Sequence, residues 1–346
     1  MKKYVITVVL MLAIAVPVQA LEFTAPSAPA SADAYMPETV DSFADDLWYV
    51  IKQAIASALP KVSEASSICV SLIAIVLLMA ILQNFSGMTG RVVNLVSVIT
   101  VASLLIRPAD SLIQLGVRTV EELCEYGKLF FPVMTAALAA QGGATASAAL
   151  YAGTLAFNTF LSHIITKCIV PIIFFFIIVC IACCAIKEGV LVKIKQFLKW
   201  FLTWSMKCVI YLFTAYLGIT GVVSGTTDAA ALKAAKLTLS GVVPVVGNMI
   251  SDASEAILVS AGFMKNAAGV YGLIAIIAIW IGPFIQIGIQ YLLLKATGAV
   301  CAAFEAKEAV CLVNDFSSAM GFLLAMTGTC CLLLLISTVC FMRGVM

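Results

Sequence analysis

Few residues in this chain have the types and spacing of a reaction centre. Asp252 and Glu255 stand three apart on one helical face, as an acid/base pair would. They also follow a Gly247-Asn248 break, where a capping box belongs. Asp252 then reads as the cap and Glu255 as the third helical position, and capping is the preferred reading. His163 is the only histidine, so a histidine zinc site or a His/Asp triad lacks partners. Beside Lys167 it reads as an interfacial residue. Cys180-Ile-Ala-Cys183 has redox-motif spacing, but it lies in the apolar run 174–186 with no basic neighbour to lower a thiol pKa. No GxxxxGK[ST] phosphate loop is present. The sequence therefore points to no catalytic, cofactor-binding or metal-ligating residue, and to no cofactor.

Amides are the polar groups best placed for transport. Gln286 and Gln290 share a helical face just after Pro283, and Asn158 lies in another apolar stretch. Ion-coupled carriers place ionisable residues at the bilayer centre; the cores of the apolar stretches hold no Asp, Glu, Lys or Arg. These amides read first as hydrogen-bonding links between helices, with the lining of a passage as the alternative. Gly221 and Gly225 form a GxxxG, which lets helices approach closely.

The elements that position these residues are set by composition. Hydrophobic residues make up 63% of the 346 and charged residues 11%, with a mean hydropathy of +1.11. Soluble domains carry roughly 25% charged residues, so the chain belongs in a bilayer. A crossing takes about 20 residues, and crossings are expected near 68–82, 92–106, 168–186, 201–223, 270–294 and 316–341. The region 130–160, broken at Gln141-Gly142-Gly143, is either re-entrant or a crossing. The expected fold is an all-α polytopic integral membrane helix bundle with interfacial amphipathic helices.

Residues 1–20 have the three parts of a secretory signal: Lys2 and Lys3, an apolar run, and Val18-Gln19-Ala20. Residues 21–66 then form an exported segment, opening as a flexible Ala/Pro/Ser-rich leader. It carries one amphipathic helix, with Val40, Phe43, Leu47, Ile51, Ala54 and Ala58 on one face, ended by Pro60. That helix either binds a partner or lies on the membrane domain, 67–346, the latter being preferred. A second amphipathic helix, 110–128, has Ile113, Val117, Val120 and Cys124 on the side expected in lipid. Most of the twelve cysteines lie in apolar runs and read as packing residues. No basic run suggests nucleic acid.

Lys187, Lys193, Lys195 and Lys199 make the most basic stretch, which the positive-inside rule places in the cytosol. With an exported N-terminus, this topology is self-consistent only if 130–160 makes no net crossing. The span 226–266, with Lys233 and Lys236 outward on a capped helix, then faces the exported side.

The run from Asp228 through Pro244–Gly247 to Lys265–Gly272, with Phe131-Pro-Val-Met and Gln141-Gly142-Gly143, closely resembles the stage III sporulation protein AE family of endospore-forming bacteria. The resemblance covers most of the chain after about Phe43. It implies a multi-pass protein of the mother-cell membrane facing the forespore, in a channel-like, secretion-like complex needed for endospore formation. Its implied partners are other membrane subunits of that complex and a separate cytosolic ATPase. Lys193, Lys195, Lys199, Lys233 and Lys236 are the candidate partner-facing residues. The alternative is a stand-alone permease for a small solute.

Overall fold

The computed structural model describes residues 25–37, 43–85, 90–140, 144–186, 188–213, 215, 246–304 and 307–343. Among them every regular element is helical. Five stretches are long and apolar enough to cross a membrane: Phe43–Leu82, Val92–Ala140, Tyr151–Ile186, Asn266–Ala302 and Lys307–Met342. The fold is the all-α bundle that the composition predicts. The signal segment lies outside the described residues, as does the second half of the expected crossing at 201–223.

The helices are longer than the apolar stretches within them. A single turn, α1 (Ala30–Asp33), precedes α2 (Phe43–Phe85) and α3 (Gly90–Ala140). Next come α4 (Ala144–Ile164), a π turn (Ile165–Ile169) and α5 (Val170–Ile186). Helix α6 spans 189–213, α7 is Val246–Ala302 and α8 is Lys307–Arg343. At 1.5 Å per residue, α3 is about 76 Å long, against a hydrocarbon core of about 30 Å.

Pro60 does not end the amphipathic helix; α2 continues through it into the first crossing. A proline removes one helical hydrogen bond and crowds the preceding turn, but here packing on both sides holds the axis. Val50, Ala54, Ala58, Ala65, Cys69, Leu72 and Val76 are buried at helical spacing along one stripe. That stripe runs along α7, so the helix lies on its own bundle. In the same way Pro108 and Pro132 are internal to α3. The expected crossing at 92–106 and amphipathic helix at 110–128 are therefore one rod. Its apolar stripe packs on α8 instead of lipid: Gly116 lies under Met326 and Leu323, and Ile113, Val120 and Cys124 are buried.

The π turn has a local cause. The Val170 N–H donates to the Ile165 carbonyl, five residues back. In a regular α-turn the ring of Pro171 would press on the Lys167 carbonyl, and the wider turn relieves that crowding.

Packing between helices alternates in direction. Asn158 of α4 reaches Cys124 of α3, so residues 130–160 form the two arms of a hairpin about the Ala140–Ala144 break. Helices α7 and α8 form a second hairpin, closed where Gly298 abuts Asn314. Rods α3 and α8 run side by side in the same direction, with Phe131 stacked on Phe341 at 5.5 Å. Phe176 of α5 meets Phe322 of α8 edge-on at 5.5 Å.

The leader is docked along 25–37, where the sequence suggested flexibility. Ala32 is fully buried, the Ala28 N–H donates to the Tyr271 hydroxyl at 3.4 Å, and Ser31 donates to Glu122 at 2.6 Å. Tyr35 lies over Gly282, where any side chain would meet its hydroxyl. Small residues bring this segment close enough to α7 for its backbone to find partners.

Candidate functional site

The site grows from three proline-bearing helices. Pro108 on α3 lines it, Pro60 on α2 adjoins the lining Lys61, and Pro283 on α7 stands three residues before the lining Gln286. Each proline lacks an N–H, so the carbonyls of Ala56, Leu104 and Ile279 have no helical donor four residues on. Between the three helices opens a recess of about 280 Å³. Its polar lining is Lys61, Glu64, Arg107, Ser111, Gln286 and Gln290.

Lys61 Nζ donates to Gln286 Oε1 at 2.7 Å. Gln290, one turn on, is buried, whereas Lys61, Glu64 and Arg107 are exposed on the outer side. Two cations and one carboxylate thus stand level with the apolar stretch 270–294 of α7. The sequence places these charges at the ends of the α2 and α3 crossings. The register between rods brings them beside the middle of another crossing. Charges at such depth are costly in lipid and call for water, a partner or one another. The arrangement can hold a hydrated or anionic segment, and it contains no nucleophile paired with a base.

The residues singled out from the sequence fall into separate places. Gln286 and Gln290 line the recess, and Pro283 stands three residues before Gln286, outside that lining. Asn158 does not; it is buried between α4 and α3, its Nδ2 donating to the Cys124 carbonyl at 3.0 Å. Lys193 and Lys199 are exposed on α6. Gly221, Gly225, Lys233 and Lys236 lie outside the described residues. Asp252 and Glu255 sit inside α7, which is already helical at Val246, so Asp252 is not the cap that its spacing suggested. Lys61, Glu64 and Arg107 were missed, because sequence gives the depth of a residue on its own helix only.

Lys195 differs from the neighbouring Lys193 and Lys199. Its ammonium lies 2.9 Å from Asp315 of α8 and 3.6 Å from Cys311 Sγ. Burial works against its charged form, but the hydrogen bond and attraction of Asp315 prevail and its pKa is raised. All twelve cysteines are free thiols; Cys124 and Cys330 lie 3.9 Å apart in the core between α3 and α8.

Residues 31–344 match the family model described as stage III sporulation protein AE. A protein of Bacillus subtilis (strain 168), named stage III sporulation protein AE, is 22% identical over 175 residues. The alignment covers 51% of this chain and 44% of that protein, so the chain spans less than half the length of this curated relative. No solved structure matches.

Proposed function

Because this chain belongs to the stage III sporulation protein AE family, we propose that it acts in endospore formation as a structural, export-platform subunit of the channel complex between mother cell and forespore. On this reading it sits in the mother-cell membrane facing the forespore. Other membrane subunits surround it, and a separate cytosolic ATPase supplies the energy. The family ties the chain to sporulation, and its five long apolar helices suit a multi-pass membrane protein.

The observation that carries the subunit role is the recess. Lys61, Glu64 and Arg107 are exposed at the level of apolar α7, lining the recess with the Gln286 and buried Gln290 amides. A monomer facing lipid there bears a desolvation cost that a neighbouring subunit or a water-filled passage removes. The exposed Lys193 and Lys199 on α6 offer charge to cytosolic machinery.

Deletion in a sporulating host, complemented by wild-type or recess-substituted chains, tests the proposal. Loss of spores on deletion, restored by wild type but not by Arg107→Glu at equal abundance, supports it. Normal spore formation after deletion removes it.

A further inference from the structure

We propose that the junction of α5, α6 and α8 is a zinc(II) site of three thiols and one carboxylate, whose cation position Lys195 occupies when the metal is away. Cys184, Cys311 and Asp315 bring one donor atom each within 4.8 Å of one another. Cys311 Sγ and Asp315 Oδ2 are 3.8 Å apart, and Cys184 is hydrogen-bonded with Cys311. Cys180, one turn before Cys184, hydrogen-bonds with Asp315; it lies outside the 4.8 Å cluster, and closing on the metal would make it the fourth donor. The donors come as two i, i+4 pairs, Cys180/Cys184 on α5 and Cys311/Asp315 on α8. Successive turns on facing helices point such pairs at a common centre.

The distances suit the ion. Zinc bonds of about 2.0–2.3 Å to oxygen and sulfur give tetrahedral edges of about 3.3–3.8 Å. The donor set is soft enough to select zinc over magnesium or calcium. Cys180 and Cys184 are buried, and Cys311 is half-buried. Each thiol that ligates gives up its proton. The basic stretch 187–200 marks this end of the bundle as the cytosolic one, where thiols stay reduced.

Lys195 turns the cluster into an exchange device. Its Nζ is 2.9 Å from Asp315 Oδ2 and 3.6 Å from Cys311 Sγ. A zinc ion bonded to both of those atoms would have to share the ammonium's position, so metal and ammonium exclude each other. Binding therefore frees Lys195 and unties α6, the helix that presents Lys193 and Lys199, from α8.

The test uses the full chain in detergent, reduced and metal-free, titrated with cobalt(II) as a spectroscopic probe. One cobalt per chain is expected, with thiolate-to-metal charge transfer and tetrahedral ligand-field bands that equimolar zinc abolishes. Cys184→Ser or Cys311→Ser should weaken binding by at least about tenfold, since even outer-shell losses cost that much. Cys124→Ser should leave binding unchanged. In the unmutated chain, metal should accelerate acylation of Lys195 by an amine-reactive ester, read by peptide mass spectrometry. The site is refuted by absence of the bands at one equivalent, or by bands that survive the Cys184→Ser/Cys311→Ser double substitution. Acylation of Lys195 unaffected by bound metal refutes the exchange.

Discussion

The Lys195 ammonium and the Asp315 carboxylate meet at 2.9 Å across α6 and α8, with their side chains only 16% and 14% exposed. Removing one partner strands the other. Asp315→Leu or Lys195→Met alone should destabilise the reduced, metal-free chain by about 3 kcal/mol. The double substitution Lys195→Met/Asp315→Leu should cost less than either single substitution. Thermal unfolding of the four proteins in one detergent forms the double-mutant cycle that checks this.

The same pair fixes a pH expectation. The pKa of Lys195 is raised on folding. Its contribution is therefore complete below the unfolded value of about 10.4 and is lost only as pH rises through the higher folded value. From neutrality into strong alkali, the ammonium's own part of the stability difference between wild type and Lys195→Met should be lost only at the alkaline end. Unfolding scans across that range measure it.

Gly272 has no room for a side chain, because a Cβ would run into the Phe130 ring. That ring is fully buried and stacked on Tyr126 at 5.6 Å, so it cannot swing aside. Gly272→Ala should cost about 1–3 kcal/mol through overpacking. Gly288 of the same helix has nothing within 4 Å. Gly288→Ala should be neutral or stabilise by up to about 1 kcal/mol through helix propensity. Paired melting temperatures separate the two.

The Asn158 side chain joins α4 to α3 through its hydrogen bond to the Cys124 carbonyl. Such links in membrane bundles average about 0.6 kcal/mol and reach about 1.7 kcal/mol. Asn158→Leu should therefore destabilise by about 1 kcal/mol. Asn158→Asp should cost more, since it buries a carboxylate beside a carbonyl. Unfolding midpoints should rank wild type, Leu, then Asp.

Recess substitutions should separate function from folding. Lys61→Ala and Arg107→Ala remove exposed charges that line the recess. Both proteins should accumulate to wild-type levels yet lower spore yield toward that of the deletion, read by immunoblot and heat-resistant colony counts.

Hydropathy and periodicity made the all-α membrane bundle legible, along with the break after Ala140 and the Gln286/Gln290 face. Local signals were less dependable where packing overrode them. Pro60 looked like an end, and 92–106 looked separate from 110–128, but each rod is clamped on both sides of its proline. The Asp252/Glu255 spacing looked like a cap, but α7 already includes both residues. The leader looked mobile, but Ala28 and Ala32 are small enough to lie flush on the bundle. What no single stretch contains is register between rods. Register brings Lys61 to Gln286, and it brings Cys184 to Cys311 and Asp315. The i, i+4 spacing of Cys180/Cys184 and of Cys311/Asp315 was the available signal for the second cluster, hidden among cysteines that pack.

Affinity purification of the tagged chain from sporulating cells, in mild detergent with crosslinking through recess positions 61 and 107, tests the central claim most directly. The account predicts a stable assembly with other membrane proteins, crosslinked at those positions and lost in Arg107→Glu. A chain recovered alone, with no crosslink at the recess and with solute uptake of its own in liposomes, would contradict it and restore the permease alternative.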